Sequence, residues 1–410
     1  MPLKDNGLRL LAVLISCFIG ISICTGGCAD EPSSLGLNFI PAGDTQRVRI
    51  FDSYIDTMLI TSTNYKKFTN TSGSVNLMVG KDGNYDSKAL LQFYNIDTGY
   101  SNATVNSATL ILKYRNYFFP TSQSDSLGQI SFDVYKIQKA LDLNSITLDS
   151  VNNSTFGTVS QGNYTGTPTS DTEEVSISLN TVMVKDWLKY ASDTGYAVKN
   201  YGMVLSPGNS SNVIKAFYSG ASGVNVELQP ELYIIVTRNN VPDTLRYDAT
   251  ATLSLVNNPS ISQTNELFYL QAGIGYIQVL KFDMSKIPST ATINDVQLYL
   301  SLDPSSSIFS TQTIKEIRAA QITDTAGLIT EIFPYISSQS ADNKYVIRLI
   351  SNIRVSPFQR WLMGEANYGL YIYPTNIQTN LDLFAIYNTT ASDRTKRPRI
   401  VIKYTPRITP

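Results

Sequence analysis

Ala103-Thr104-Val105-Asn106-Ser107-Ala108-Thr109-Leu110-Ile111-Leu112-Lys113-Tyr114-Arg115 is the stretch that decides the fold. Leu110, Leu112 and Tyr114 point to one side while Lys113 and Arg115 point to the other, the period of two expected of a half-buried antiparallel strand. Ala291-Thr292-Ile293-Asn294 followed by Leu298-Tyr299-Leu300 repeats the pattern, and further blocks recur in the same order. Leu91-Gln92-Phe93 returns as Leu280-Lys281-Phe282. The two Trp of the chain, Trp187 and Trp361, each precede a Leu; Asn200-Tyr201-Gly202 returns as Asn367-Tyr368-Gly369, and Pro230 to Thr237 returns as Pro398 to Thr405. Five blocks in one order mean a duplication.

Hydrophobic alternation stops at Asn239-Asn240-Val241-Pro242-Asp243, where turn residues cluster. This predicts two modules, 44–239 and 240–406, each complete and able to fold without the other. The offset between copies shrinks from the strand block to the Trp block, so copy one carries an insertion. It lies in the polar tract 144–174, expected as a long surface loop with one short strand. Helix is nearly absent. Val184, Trp187, Leu188 and Ala191 fall at i, i+3, i+4 and i+7, one apolar stripe of a short helix. In copy two, Ser356 can cap, Pro357 suits the first helical position, and Gly364 ends the turn.

Composition narrows the function classes. The 410 residues include no His and three Cys, with 32 basic and 33 acidic side chains for a net charge of −1. His-based acid–base and metal chemistry is therefore excluded, and nothing suggests a nucleic-acid partner. There is no Gly-x-Ser-x-Gly elbow and no phosphate-binding glycine loop, so the chain is not expected to be an enzyme. Asp171, Glu173 and Glu174 form an acidic cluster that reads as a solvated turn.

The N-terminus sets the address. Lys4 and Arg9 precede an apolar run from Leu10 to Cys24, too short for a comfortable transmembrane span and typical of a signal peptide. Thr25-Gly26-Gly27-Cys28 resembles the lipobox of bacterial lipoproteins. The resemblance implies a signal peptide over 1–27, lipidation of Cys28, a linker over 28–43 and attachment to the membrane through the lipid. Ala29-Asp30-Glu31 resembles the acidic export signals of lipoproteins facing outward from the outer membrane.

The order Leu77-Met78-Val79-Gly80, Leu90-Leu91-Gln92-Phe93, Ala103 to Leu110, then Trp187, Asn200-Tyr201-Gly202 and Pro230-Glu231-Leu232 resembles the DNRLRE family of β-sandwich modules. That resemblance implies an all-β chain of two tandem jelly-roll-like β-sandwiches, each with one short capping helix, related to a carbohydrate-binding module of cell-surface proteins. Two readings follow: a surface-anchored module that binds a polysaccharide or another surface polymer, and a structural, assembly or adhesion lipoprotein that meets a surface protein.

Two local features offer binding sites. Arg115, Tyr117 and Phe119, in Arg115-Asn116-Tyr117-Phe118-Phe119-Pro120, could stack on sugar rings beside a guanidinium; otherwise they continue a strand with one face buried. Asp82, Asn84 and Asp86 alternate oxygen ligands like the front of a calcium loop, or else form a plain Asp-Gly hairpin turn. Calcium is thus the one cofactor considered. Trp187 and Trp361, on apolar helix stripes, are expected in the core.

Overall fold

The computed structural model describes residues 47–407 except 68, 84, 122–127, 147–150, 152–153, 258–260, 262, 327–328, 332 and 341; the signal segment, Cys28 and Asn84 lie outside the described residues. Two strands come first, β1 (Arg49–Asp52) and β2 (Ile60–Lys66). A contiguous run follows: β3 (Asn76–Asp82), β4 (Tyr85–Gln92), β5 (Thr104–Phe119), β6 (Ile130–Ile137), β7 (Phe156–Gly166) and β8 (Glu174–Ser178). After helix α1 (Thr181–Ser192) come β9 (Met203–Pro207), β10 (Ile214–Tyr218), β11 (Glu231–Arg238), β12 (Val241–Asp248) and β13 (Ala251–Asn257). The remainder holds β14 (Leu267–Gln271), β15 (Tyr276–Phe282), β16 (Thr292–Ser301), β17 (Ile317–Asp324), β18 (Ile329–Thr330), β19 (Tyr335–Gln339) and β20 (Lys344–Arg348). Helix α2 (Pro357–Leu362) then leads to β21 (Leu370–Pro374), β22 (Leu383–Tyr387) and β23 (Arg399–Thr405).

The chain is all-β, as expected, and its strands form two large curled antiparallel sheets that build two sandwich-like modules. One sheet runs β12-β11-β5-β10-β3-β4-β9-β6-β7, with β8 on β5 and β13 on β4. The other runs β1-β23-β16-β20-β19-β17-β21-β15-β14-β22, with β2 on β15 and β18 on β17. The boundary read from the repeats is therefore displaced. β1 and β2 belong to the second module, where Ile50 pairs with Lys403 and Thr63 with Val279. β12 and β13 belong to the first, where Leu245 pairs with Ile234 and Leu253 with Leu90. The first module is thus contiguous, while the second is assembled from both ends of the described chain. The reason is chemical: the two copies offer equivalent edges, β11 and β4 in one and β23 and β15 in the other, so the local pattern of a strand pair does not specify which edge it joins.

Each module keeps its own core. Leu110, Leu112 and Tyr114 are buried in the first with Trp187, and Val296, Leu298 and Leu300 in the second with Trp361. Asn180 caps α1, its side-chain oxygen accepting the Val182 N–H at 2.9 Å. Ser356 holds the corresponding place before α2 but makes no capping hydrogen bond; its hydroxyl is buried without a partner. The repeated Asn-Tyr-Gly block is a clasp. Asn200 and Asn367 donate to the carbonyls of Phe93 (2.6 Å) and Phe282 (2.8 Å). Gly202 and Gly369 adopt φ of +94° and +95°, and a Cβ would lie 2.2 Å from the Leu91 oxygen or 2.5 Å from that of Leu280.

A third apolar cluster joins the modules. Met78, Tyr85, Tyr117, Phe119, Ile214, Ala216 and Val256 of the first meet Ile274, Tyr276 and Leu381 of the second.

Candidate functional site

The aromatic run of copy one does not make a surface. Tyr117 and Phe119 have no exposed area. Phe119 packs edge-on against Tyr85 with centroids 5.0 Å apart, and the Tyr117 hydroxyl accepts the Leu381 N–H at 3.1 Å. Arg115 points elsewhere, its guanidinium 5.1 Å from the Tyr218 ring. A bulge separates them: the register of β5 against β10 jumps from Tyr117 to Tyr114, with Asn116 at φ +49°. The expected binding face of Arg115, Tyr117 and Phe119 is therefore corrected to a strand whose outer face is buried by the second module.

Asp82 and Asp86 flank a tight hairpin, with Asp82 opposite Tyr85 and Lys81 opposite Asp86. Partial burial raises the Asp82 carboxyl above its ordinary value, and Lys88 lies 3.6 Å from Asp86. Among the described residues no three His, Cys, Asp or Glu side chains gather as metal ligands.

The acidic cluster is local scaffolding. Glu173 accepts the backbone N–H groups of Thr169 and Ser170, and these bonds, chiefly that of Ser170, lower its carboxyl below the usual range. Glu174 is lowered by its hydrogen bond from Lys113 at 2.5 Å. A general acid needs the opposite shift.

Lys215 was not singled out in the sequence, yet it is fully buried, donating to the Pro168 carbonyl at 2.5 Å beside the Tyr114 ring. Burial lowers its ammonium to about 8, against the opposing attraction of Glu173. Below pH 8 the folded chain bears the full cost of that charge; between pH 8 and about 10.5 the folded state sheds the proton before the unfolded state does, so stability rises with pH. Lys215→Met should therefore stabilise the protein at pH 7 by on the order of 2–3 kcal/mol, a gain that vanishes near pH 10.5. Paired urea melts at the two pH values measure it. An equal difference at both would show that the lysine proton is not involved.

The second module carries an extended basic depression where β1 meets the loop before β23. A cleft of about 470 Å³ is lined by Ser53, Tyr54, Met58, Ile60, Arg394 and Arg397, among others. It adjoins a small pocket between Tyr54, Tyr299, Lys344, Arg397 and Arg399. A further depression of about 360 Å³, lined by Asp342, Lys344, Tyr387 and Lys396, continues it. The three share walls and form one groove.

The groove is built by the N-terminal strand pair. Arg399 binds both carboxylate oxygens of Asp52, Nε to Oδ1 at 3.0 Å, and lies 5.3 Å from the Tyr54 ring and 5.4 Å from that of Tyr299. That hydrogen bond holds Asp52 below the usual carboxylate range. The Tyr54 hydroxyl donates to the carbonyls of Arg397 (2.6 Å) and Thr395 (3.0 Å), and burial raises its pKa. Lys396 pairs with Asp393 at 3.8 Å and lies 4.7 Å from the Tyr387 ring. Arg394 and Arg397 donate to backbone carbonyls, of Tyr54 and Ala391, and neither has an acidic partner among the described residues. Nor does Lys344.

Tyr54, Tyr299 and Arg397 lie far apart in the sequence, and no local pattern joins them. The signal was Arg394-Thr395-Lys396-Arg397, three cations in four positions of a chain only 16% charged. No protein-family model matches the chain, and no curated protein matches it.

Proposed function

We propose that the protein is a non-catalytic recognition lipoprotein, lipid-anchored through Cys28 on the outer face of the outer membrane, with DNRLRE-like modules. Its second module holds a glycan or another surface polymer in the rim groove. One observation carries this reading: an open, elongated groove that presents tyrosine rings beside guanidinium and ammonium donors, the chemistry suited to polyhydroxylated chains. The lowered carboxyls of Glu173 and Glu174, engaged in building a turn, support a role without catalysis. Calcium at Asp82, Asn84 and Asp86 remains a separate proposal of the sequence.

A second reading, an assembly or adhesion role toward protein partners, is favoured by Phe333, Ile336, Ile353 and Val355. These exposed residues neighbour the Arg354–Tyr335 stack in the chain.

A glycan array probed with the mature chain tests the first reading. Signal on at least one glycan class is expected, falling at least tenfold when Tyr299→Ala and Lys344→Ala are combined. Silence across the array would leave the protein-partner role.

A further inference from the structure

The duplication supplies an internal control for the groove. In copy one a single 3₁₀ turn, Val226–Leu228, is capped by Asn225, which accepts the Glu227 N–H at 3.2 Å. The same turn in copy two, Arg394–Lys396, is capped by Asp393, which accepts the Thr395 N–H at 3.0 Å. Each is followed by one residue, a Pro and an equivalent strand, β11 or β23. The turn therefore folds equally with Val226, Leu228 and Gln229 as with Arg394, Lys396 and Arg397.

Bracing of the loop does not need the charge either. Gln229 donates its side-chain amide to the Ala221 carbonyl at 3.4 Å, eight residues back, and Arg397 likewise donates Nε to a carbonyl upstream of its turn, that of Ala391, six residues back at 2.6 Å. One neutral donor suffices for that bond, so the terminal nitrogens of Arg397 are surplus to the scaffold. Arg399 differs. Its counterpart Glu231 makes the mirror-image ion pair, with Arg246 of β12 at 3.2 Å, while Arg399 pairs with Asp52 of β1. It fastens a strand pair, as Glu231 does.

Resting on the proposed polymer-binding role, we infer that the groove is specific for an anionic polysaccharide, with Arg394, Arg397 and Lys344 receiving its carboxylate or sulfate groups. A guanidinium offers a planar fork that matches either oxyanion. Three cations without acidic partners around one groove leave a positive field that a neutral glycan would not offset.

The test is a titration of the full mature chain with polygalacturonate, heparin and neutral dextran, using variants that import the copy-one residues, Arg394→Val and Arg397→Gln. The turn geometry of copy one indicates that these fold, and an unchanged melting temperature checks it. Lys344→Gln, outside the turn, is the second probe. The wild type is expected to bind polygalacturonate or heparin, or both, with affinity falling as salt rises; the double variant should lose at least tenfold at low salt and Lys344→Gln a smaller factor. Carboxylate and sulfate specificity are separated by which polymer binds. Retained binding in both variants would overturn the site. Binding of dextran but of neither acidic polymer would overturn the anionic class while leaving the polymer reading intact, and binding of none would end both. A single-stranded oligonucleotide bound as tightly as the acidic polymers would overturn the polysaccharide class.

Discussion

A chain cut to residues 69–257 is expected to fold cooperatively, whereas one cut to 44–239, the unit read from the repeats, is not. The shorter-ending piece loses β12 and β13, which cover β11 over eight residue pairs and β4 over seven. With them go Leu245, Tyr247, Leu253 and Leu255, all buried. At roughly 1.5–3 kcal/mol for each large apolar side chain, the loss is about as large as the whole stability of an ordinary domain. The same piece retains β1 and β2 with nothing to pair against, so Phe51 and Met58, buried in the second core, would face water. Residues 69–257 keep every sheet partner of the first module. Two-dimensional NMR of both pieces decides it: dispersed amide signals from 44–239 and collapsed ones from 69–257 would restore the boundary at 239.

The segment carrying Cys28 enters the described fold at β1, on the second module, although it is encoded beside the first. If Cys28 anchors the chain as proposed, a pull from the membrane reaches the described fold first at the ladder of β1 with β23 and at the Asp52–Arg399 pair. The groove lies at that point, walled on one side by Tyr54, Thr57 and Met58. A polymer bound in the groove as proposed would contact both the N-terminal strand pair and the loop before β23.

Much of the fold was legible because it is local. Period-two alternation placed Leu110, Leu112 and Tyr114 in a core, and the i, i+3, i+4 stripe of Val184, Trp187 and Leu188 placed α1 against it. Non-local choices were hidden. Nothing in Arg49-Ile50-Phe51-Asp52 says which copy it joins, since duplicated edges accept equivalent strands. Ser356 stood in the right place to cap α2, but its backbone position does not oblige its hydroxyl to do so. Burial of one face of the run, Tyr117 and Phe119, was legible as strand continuation, but the partner was not, because a face that meets another module has the same composition as one that meets a ligand. The groove was missed for a related reason: Tyr54, Tyr299 and Arg397 are far apart in sequence, and only the return of β1 to β23 brings them together.

Tyr117→Ala and Phe119→Ala should each cost the full chain about 3–5 kcal/mol, the range for emptying a buried aromatic site. Tyr117→Ala carries an added penalty, because the Leu381 N–H would lose its partner inside a buried contact. In isolated residues 69–257 the same substitutions should cost far less. Without Ile274, Tyr276 and Leu381 both rings already lie at a bared face, and only contacts such as Phe119 with Tyr85 remain to be lost. The difference between the two settings therefore reads the contribution of these rings to module docking, in the manner of a double-mutant cycle. Urea melts of the four single variants, two in each setting, provide it. Equal costs in both would place the rings in the core of the first module alone; negligible costs in both would return them to the surface and reopen copy one as a binding face.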